Sequence, residues 1–401
     1  MHRSRTLVFA LLLAFLTLPV AAQEAHEHDT DVPLFTEYDP PSTLVVPEHH
    51  VARAKYPFID VHNHQWQMPE QNLAELTAAM DALNMAVMVN LSGRGSRRIE
   101  NPDGTRRFGI GEPEHLTRSV ANIEQNAPGR IVLFTNLDFE GFGSEGWTER
   151  AVAQLVADVE RGARGLKIYK NLGMDAKDVR GERIAIDDPR LDPVWAKCGE
   201  LGIPVLIHSA DPAPFWQPKD RNNERLYEMI ERPDRYRDPA LNPPFEQILA
   251  EQHHVFRKHP GTRFIDAHLG WMGNDLARLG ELLDELPNVY TEIGAVIAEL
   301  GRQPRFARDW LIRYQDRVMF GKDSWAPEEY PTYFQILETG DDYVKYFRRR
   351  HAFWRIYGLE LPDAVLRKIY YENALRVIPG IDRGLFPAPA TSSSPSSPPA
   401  P

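Results

Sequence analysis

Tyr56-Pro57-Phe58-Ile59-Asp60-Val61-His62-Asn63-His64 is the stretch on which the reading of this chain turns. A short apolar run ends in two histidines spaced by one residue. In a β-strand alternate side chains share a face, so His62 and His64 project together and can grip one metal ion. Four later strand-like runs also end in polar residues: Lys167, His208, His268 and Asp323.

Between residues 56 and 380 short β-branched or apolar runs alternate with longer amphipathic stretches, the pattern of repeated βα units on a parallel sheet. The runs fall at 57–62, 85–91, 130–137, 163–169, 203–208, 262–268, 288–294 and 317–321. Eight runs are enough to close a (β/α)8 TIM barrel, here distorted, with inserted loops after strands 2 and 5. Helical periodicity is expected at Asn72–Leu83, Thr148–Arg161, Asp275–Leu286 and Asp363–Val377. An open dinucleotide-binding sheet is disfavoured because strand 1 is not followed by a Gly-rich phosphate turn. In a barrel the C-terminal strand ends converge on one mouth, which places His62, His64, Lys167, His208, His268 and Asp323 together.

Imidazole and carboxylate suit Zn, with Mn, Fe or Co as alternatives. His62, His64, His208, His268 and Asp323 are together candidate ligands of a divalent ion. A metal lowers the pKa of water to about 7 and polarises a carbonyl. Asp323 and His268 are then the catalytic pair, Asp323 moving the proton of water and His268 stabilising the developing oxyanion. The insert at 92–112 carries Gly93-Arg94-Gly95, where Arg94 could hold a substrate carboxylate, and the insert at 212–244 reads as a lid or pocket wall. Trp66, Trp271 and Trp325 follow ligand positions closely and could line the pocket. Glu292 either faces the mouth or is a buried salt-bridge partner.

The Asp-x-His-x-His start, the strand-5 and strand-6 histidines, the strand-8 Gly321-Lys322-Asp323 and the closing Tyr371-Glu372-Asn373-Ala374 resemble the amidohydrolase superfamily. The nearer resemblance is to its amidohydrolase-related branch, which includes the aminocarboxymuconate-semialdehyde decarboxylase-like enzymes. It spans about Phe58 to Val377. It implies that the residues matching His62, His64, His208 and Asp323 bind the metal, with the one matching His268 beside it. In binuclear relatives a carboxylated lysine sits where Lys167 does, and His208 and His268 would then hold a second ion; the mononuclear site is the expectation. Lys322 departs from the Ser or Thr usual there, which makes it a substrate-binding candidate. The resemblance implies a hydrolase acting on an amide, ester or lactone, with decarboxylation of a carboxylated ring or enol as the alternative and a non-catalytic secreted binding protein as a second.

The formal net charge of −11 argues against a nucleic-acid partner, since phosphate binding needs a concentrated excess of Lys and Arg. Arg97-Arg98 and Arg348 to Arg350 are expected to be solvated surface. The resemblance implies a small-molecule substrate as the partner, and a homo-oligomer is possible. Residues 1–22 read as a signal peptide, with Arg3 and Arg5 before the apolar Leu7–Leu18 and small residues at Val20-Ala21-Ala22. Export to the periplasm or medium is the expectation, with no membrane attachment after cleavage. Residues 23–55 read as an N-terminal arm, and 381–401, rich in Pro, Ser and Ala, as a disordered tail. The single cysteine, Cys198, excludes an intramolecular disulfide.

Overall fold

A computed structural model describes Leu34, residues 37–100 and residues 106–388. The expected signal peptide, most of the arm before Val46 and the last residues of the tail lie outside the described residues. The chain divides into two units, Met1–Val45 and Val46–Pro401. The described residues of the first unit form no helix or strand.

The second unit contains strands β1 (Phe58–Asn63), β2 (Met85–Asn90), β3 (Ser96–Glu100), β4 (Arg106–Ile110), β5 (Ile131–Leu133), β6 (Thr135–Asn136), β7 (Leu166–Ile168), β8 (Val205–Ile207), β9 (Phe264–Asp266), β10 (Val289–Glu292) and β11 (Val318–Met319). Two parallel ladders run in the orders β1-β2-β5 and β11-β10-β9-β8-β7-β6. Between β5 and β6 only Phe134 intervenes; its N–H bonds back to Asn90 O at 3.0 Å, while Thr135 N–H bonds forward to Gly165 O at 2.9 Å. β5 and β6 are therefore one barrel strand serving both neighbours, and the eight expected strands follow one another in sequence order. After β1, each is shorter than its apolar run, and the residues beyond its C-terminal end leave the ladder toward the mouth.

Closure between β11 and β1 is made by single hydrogen bonds, from Val61 N–H to Phe320 O (3.0 Å) and from Asp323 N–H to His62 O (2.6 Å), without a ladder. In a strand the N–H and C=O of one residue point the same way. Phe320 O faces β1, but its N–H is taken by Ile369 O at 2.8 Å, from the π-turn Lys368–Glu372 in the C-terminal helical segment. Aromatic packing fills the seam: Phe58 meets Phe320 edge-on at 4.8 Å and Phe334 at 5.4 Å between ring centres.

Helices cover the outside of the strands. Leu73–Leu83 is capped by Asn72, whose side chain accepts Glu75 N–H, and Leu276–Glu285 by Asp275, which accepts Arg278 N–H. The segment expected as a helix at 363–377 is helical throughout, with the π-turn Lys368–Glu372 inserted between Asp363–Arg367 and Asn373–Val377. Cys198 is buried in the helix Asp192–Glu200, and burial pushes its thiol pKa up, as befits an inert core residue. The insert after strand 2 is not a plain loop: β3 and β4 pair as an antiparallel hairpin. The insert after strand 5 holds one helix, Leu226–Glu231, and two 3-10 turns, Ala213–Trp216 and Pro233–Arg235.

From His49 the arm is pinned to the barrel by His49 Nδ1 on Asp341 (2.5 Å) and Lys55 Nζ on Asp363 (2.5 Å). At the other end ordered packing continues past residue 380, with Phe386 stacked on Tyr371 at 5.2 Å.

His253, on the helix Phe245–Lys258, is buried, and its Nε2 has no hydrogen-bond partner among the described residues. Burial, aided by the charges of Arg257 and Arg278, pushes its pKa down to about 4. The unfolded chain, with a histidine pKa near 6.5, then binds more protons between those values. The stability that His253 contributes is complete above about pH 6.5 and is lost as pH falls toward 4, by up to about 3 kcal/mol. We expect thermal unfolding measured across that window to show a shallower acid slope for His253→Leu than for the parent protein; an unchanged slope would contradict this assignment.

Candidate metal centre

β1 delivers His62 and His64 to the mouth, with ring centres 5.3 Å apart. Asp60, one alternation earlier, holds their strand against the end of β11. Its Oδ1 accepts the N–H groups of His62 (3.0 Å) and Lys322 (3.1 Å), and its Oδ2 accepts from Tyr330 Oη (2.6 Å) and Asn63 Nδ2 (2.9 Å). Burial raises its pKa to about 6 despite these four donors. The next residue after Lys322 is Asp323, so one carboxylate fixes both sides of the centre.

The tautomers follow from the hydrogen bonds. Glu292 Oε1 lies 2.9 Å from His62 Nδ1 and accepts His268 N–H at 2.7 Å, while Oε2 accepts Gly294 N–H. With both oxygens accepting, His62 Nδ1 is the donor and its Nε2 carries the lone pair. Tyr169 donates its hydroxyl to Leu91 O (3.1 Å) and so accepts from Ser92 Oγ (3.1 Å), which in turn accepts from His64 Nδ1 (2.7 Å). That chain leaves a lone pair on His64 Nε2. His268 Nδ1 donates to Gly294 O at 2.8 Å, which confines its proton exchange to Nε2.

Asp323 Oδ1 sits 3.3 Å from His62 Nε2 and 3.7 Å from His64 Nε2. Three lone-pair donors thus face one another with no proton assigned between them. Burial is the largest cause holding His62 well below its ordinary pKa and His64 at about 3. Burial raises Asp323, but His62, His268, His64 and Lys167 more than offset it and leave the carboxyl well below its usual range. At neutral pH the trio is two neutral imidazoles and a carboxylate, the donor set that a borderline divalent cation requires. The residues present fit a metal ion.

His268 belongs to an unusual turn. His268, Leu269, Gly270 and Trp271 all have φ between 53° and 59°, a left-handed conformation that costs L-residues roughly 1–2 kcal/mol each. At Gly270 a Cβ would stand 2.3 Å from Asp266 Oδ2, so no side chain fits. The turn brings the His268 ring onto His62 at 4.7 Å and sets the Trp271 ring 4.6 Å from it. Burial pushes the neighbouring Asp266 up to about 8, against the hydrogen bond it receives from Gln252.

The other sequence-predicted residues fall as follows. Among the described residues, the groups whose ligand atoms all lie within 4.8 Å of one another are His62, His64 and Asp323, and His62, His268 and Glu292; His208 is in neither. It leaves the end of β8 on the far side of His268, edge-on to that ring at 4.5 Å and 5.7 Å from Trp271, with its Nε2 buried and unpartnered among the described residues. Lys167 is buried with Nζ 3.4 Å from His62 Nε2, and burial lowers its pKa to about 7.

Lys322 does not face the mouth. Its buried ammonium pairs with Glu329, which also binds Arg348 (2.7 Å), and lies 5.5–5.8 Å from the rings of Tyr330, Tyr333 and Phe347. This corrects the substrate-binding expectation for Lys322: strand alternation turns it away from Asp323 into the outer packing. The same pairing takes Arg348 out of the solvated surface. Arg94 likewise leaves the mouth. It borders a cavity of about 210 Å³ lined by Thr135, Trp147, Gln154 and Asp158, between the strand-3 wall and the helix Trp147–Glu160. Tight apposition on either side draws the chain there, since a Cβ on Gly93 would meet Phe134 O at 2.4 Å and one on Gly111 would meet Arg94 O at 2.2 Å. Trp66 stacks on His64 at 5.3 Å, whereas Trp325 packs against Tyr330 at 5.8 Å. A larger cavity, about 690 Å³, lies beside the base of the hairpin between residues 137–141 and 171–179 and is lined by none of the histidines.

Sequence reasoning left Glu292 undecided and missed Ser92 and Tyr169. The signal for Glu292 was the pair of close-approach glycines: a Cβ on Gly294 or Gly321 would stand 2.6 or 2.3 Å from Glu292 Oε2.

A sequence profile of the amidohydrolase family matches residues 59–380, and the chain belongs to that family. It is an enzyme of the amidohydrolase superfamily, whose members are metal-dependent hydrolases and decarboxylases of small molecules. Among proteins of curated function, none matches the sequence. Similar solved structures include an uncharacterised TIM-barrel protein from Bordetella bronchiseptica, 15% identical with a TM-score of 0.47 over 80% of this chain and 97% of that one. They also include an amidohydrolase from Burkholderia multivorans with bound zinc, 15% identical with a TM-score of 0.44 over 80% and 98%. A third is a probable 2-pyrone-4,6-dicarboxylic acid hydrolase from Acinetobacter baumannii with citric acid bound, 11% identical with a TM-score of 0.42 over 80% and 98%.

Ser92→Ala removes the acceptor that fixes His64 Nδ1–H and leaves the ligand itself in place. We expect zinc affinity, measured by competition with a chromogenic chelator, to fall about tenfold while the thermal unfolding midpoint of the metal-free protein stays near the parent value.

Proposed function

We infer that the mature protein is an exported hydrolase that binds one zinc ion and directs water onto an amide, ester or lactone bond of a small molecule. The observation that carries this reading is the convergence of His62 Nε2, His64 Nε2 and Asp323 Oδ1 with no proton between them. His208 is proposed as the fourth donor, from its buried and unpartnered Nε2. Zinc is favoured over Mn, Fe or Co by the imidazole-rich set. Export rests on the composition of residues 1–22. Among the described residues no helix is long and apolar enough to cross a membrane.

A divalent ion held there supplies Lewis acidity that polarises a carbonyl and makes water acidic near neutral pH. The remaining work falls to side chains. Asp323, ionised at neutral pH, takes a proton from water and returns it to the leaving group. His268 exchanges a proton at Nε2, since Nδ1–H is committed to Gly294 O. The rings of Trp66 and Trp271 pack beside His64 and His268. Lys167 Nζ lies 3.4 Å from His62 Nε2, and with its pKa lowered to about 7 it can give up or take a proton beside the centre near neutral pH.

The test is the metal content of the purified protein, followed by a screen of esters, lactones, amides and aromatic carboxylates with parent and Asp323→Asn. We expect one zinc per chain and a loss of turnover of a hundredfold or more for the variant, consistent with removing general acid–base catalysis. Absence of a tightly held transition metal would refute the metal-dependent reading. Two ions per chain would refute the single-ion site, and release of carbon dioxide in place of water addition would move the reaction to decarboxylation.

A further inference from the structure

We propose that Glu292 is a positioning residue of this centre: one buried carboxylate in a glycine-lined slot holds the His62 ring through Nδ1–H and the turn carrying His268 through its backbone N–H. The inference rests on the proposed metal-binding reading and extends it to a residue outside the ligand set.

Glu292 closes β10 and is fully buried. Among the described residues no lysine or arginine pairs with it directly. Its hydrogen bonds come from His62 Nδ1 at 2.9 Å, His268 N at 2.7 Å and Gly294 N. A carboxylate taken out of water is costly unless its oxygens are satisfied by donors, and each of these donors belongs to the site or to the turn beside it. The slot is built around the carboxylate. Oε2 stands where a side chain on residue 294 or 321 would begin, since their Cβ atoms would lie 2.6 and 2.3 Å away. Gly321 therefore serves the strand-8 Gly-Lys-Asp run by admitting Glu292 beneath Asp323.

The two anchored histidines differ in what they present. His62 contributes Nε2 to the trio with His64 and Asp323. His268 lies stacked on His62, in a left-handed turn that local preference disfavours. The bond from its N–H to Glu292 is one of the contacts that hold the turn. A carboxylate behind a ligating imidazole orients the ring, sets its tautomer and raises its basicity; here the same group also sets the neighbouring imidazole.

The test uses the full mature protein with Zn2+ and Co2+ as probes. Glu292→Gln presents one acceptor and one donor where two acceptors are needed, and Gly294→Ala crowds Oε2 without a close contact to any ligand side chain. For both we expect zinc affinity by chelator competition to fall roughly ten- to hundredfold. The visible absorption of the Co2+-loaded protein should change shape, and the metal-free unfolding midpoint should stay close to that of the parent. A parent protein that binds neither ion would overturn the metal reading itself. A parent that binds, with variants of unchanged affinity and unchanged Co2+ spectrum, would overturn the role of Glu292 alone. If both variants fail to fold, the parent decides by 15N-histidine correlation spectra with zinc bound: His62 protonated at Nδ1 and ligated through Nε2 supports the proposal, and ligation through Nδ1 overturns it.

Discussion

The carboxylate of Asp60 is the joint on which the centre depends. The barrel is parallel and laddered everywhere except between its last strand and its first, where Ile369 O has taken the N–H that a further rung would have used. At that gap Asp60 Oδ1 accepts backbone N–H groups from both sides, His62 on one and Lys322 on the other. The separation between His62 and Asp323, 261 positions apart in the chain, is set by the Asp60 side chain together with the bond from Asp323 N–H to His62 O. Burial raises its pKa only to about 6, since four donors stabilise the anion.

A second constraint is the direction of lone pairs. Neutral imidazoles become metal donors only when the other nitrogen is occupied. The fold occupies all three nitrogens in question by different means: Glu292 for His62, the Ser92–Tyr169–Leu91 chain for His64 and Gly294 O for His268. The acceptors come from β10, from the loops after β2 and β7, and from the turn after β10. Strain is concentrated at the same place, in the left-handed run His268–Trp271 and in Asp323 at φ 81°, where surrounding hydrogen bonds over-determine an unfavourable backbone.

Burial and electrostatics act together here. Removing His62, His64 and His208 from water favours their uncharged forms, and the same low-dielectric surroundings strengthen the pull of Asp323 on any cation that enters. Two basic residues expected to meet substrate are instead committed to structure. Lys322 is enclosed by aromatic rings and Glu329, and Arg94 is folded behind the strand wall.

The sequence by itself determined the strands, their order, the family and the residues that end the strands, because apolar period and strand-end chemistry are local and survive in one dimension. It also located His62, His64 and Asp323 as partners. It could not say that Lys322 and Arg94 point away, since one step of strand alternation or one glycine-permitted close approach reverses a side chain. Nor could it resolve Glu292, whose importance lies in facing His62 and the His268 turn across the barrel. Those outcomes are distances between segments far apart in the chain. Only the closure of the barrel, with its unladdered seam and its left-handed turn, fixes them.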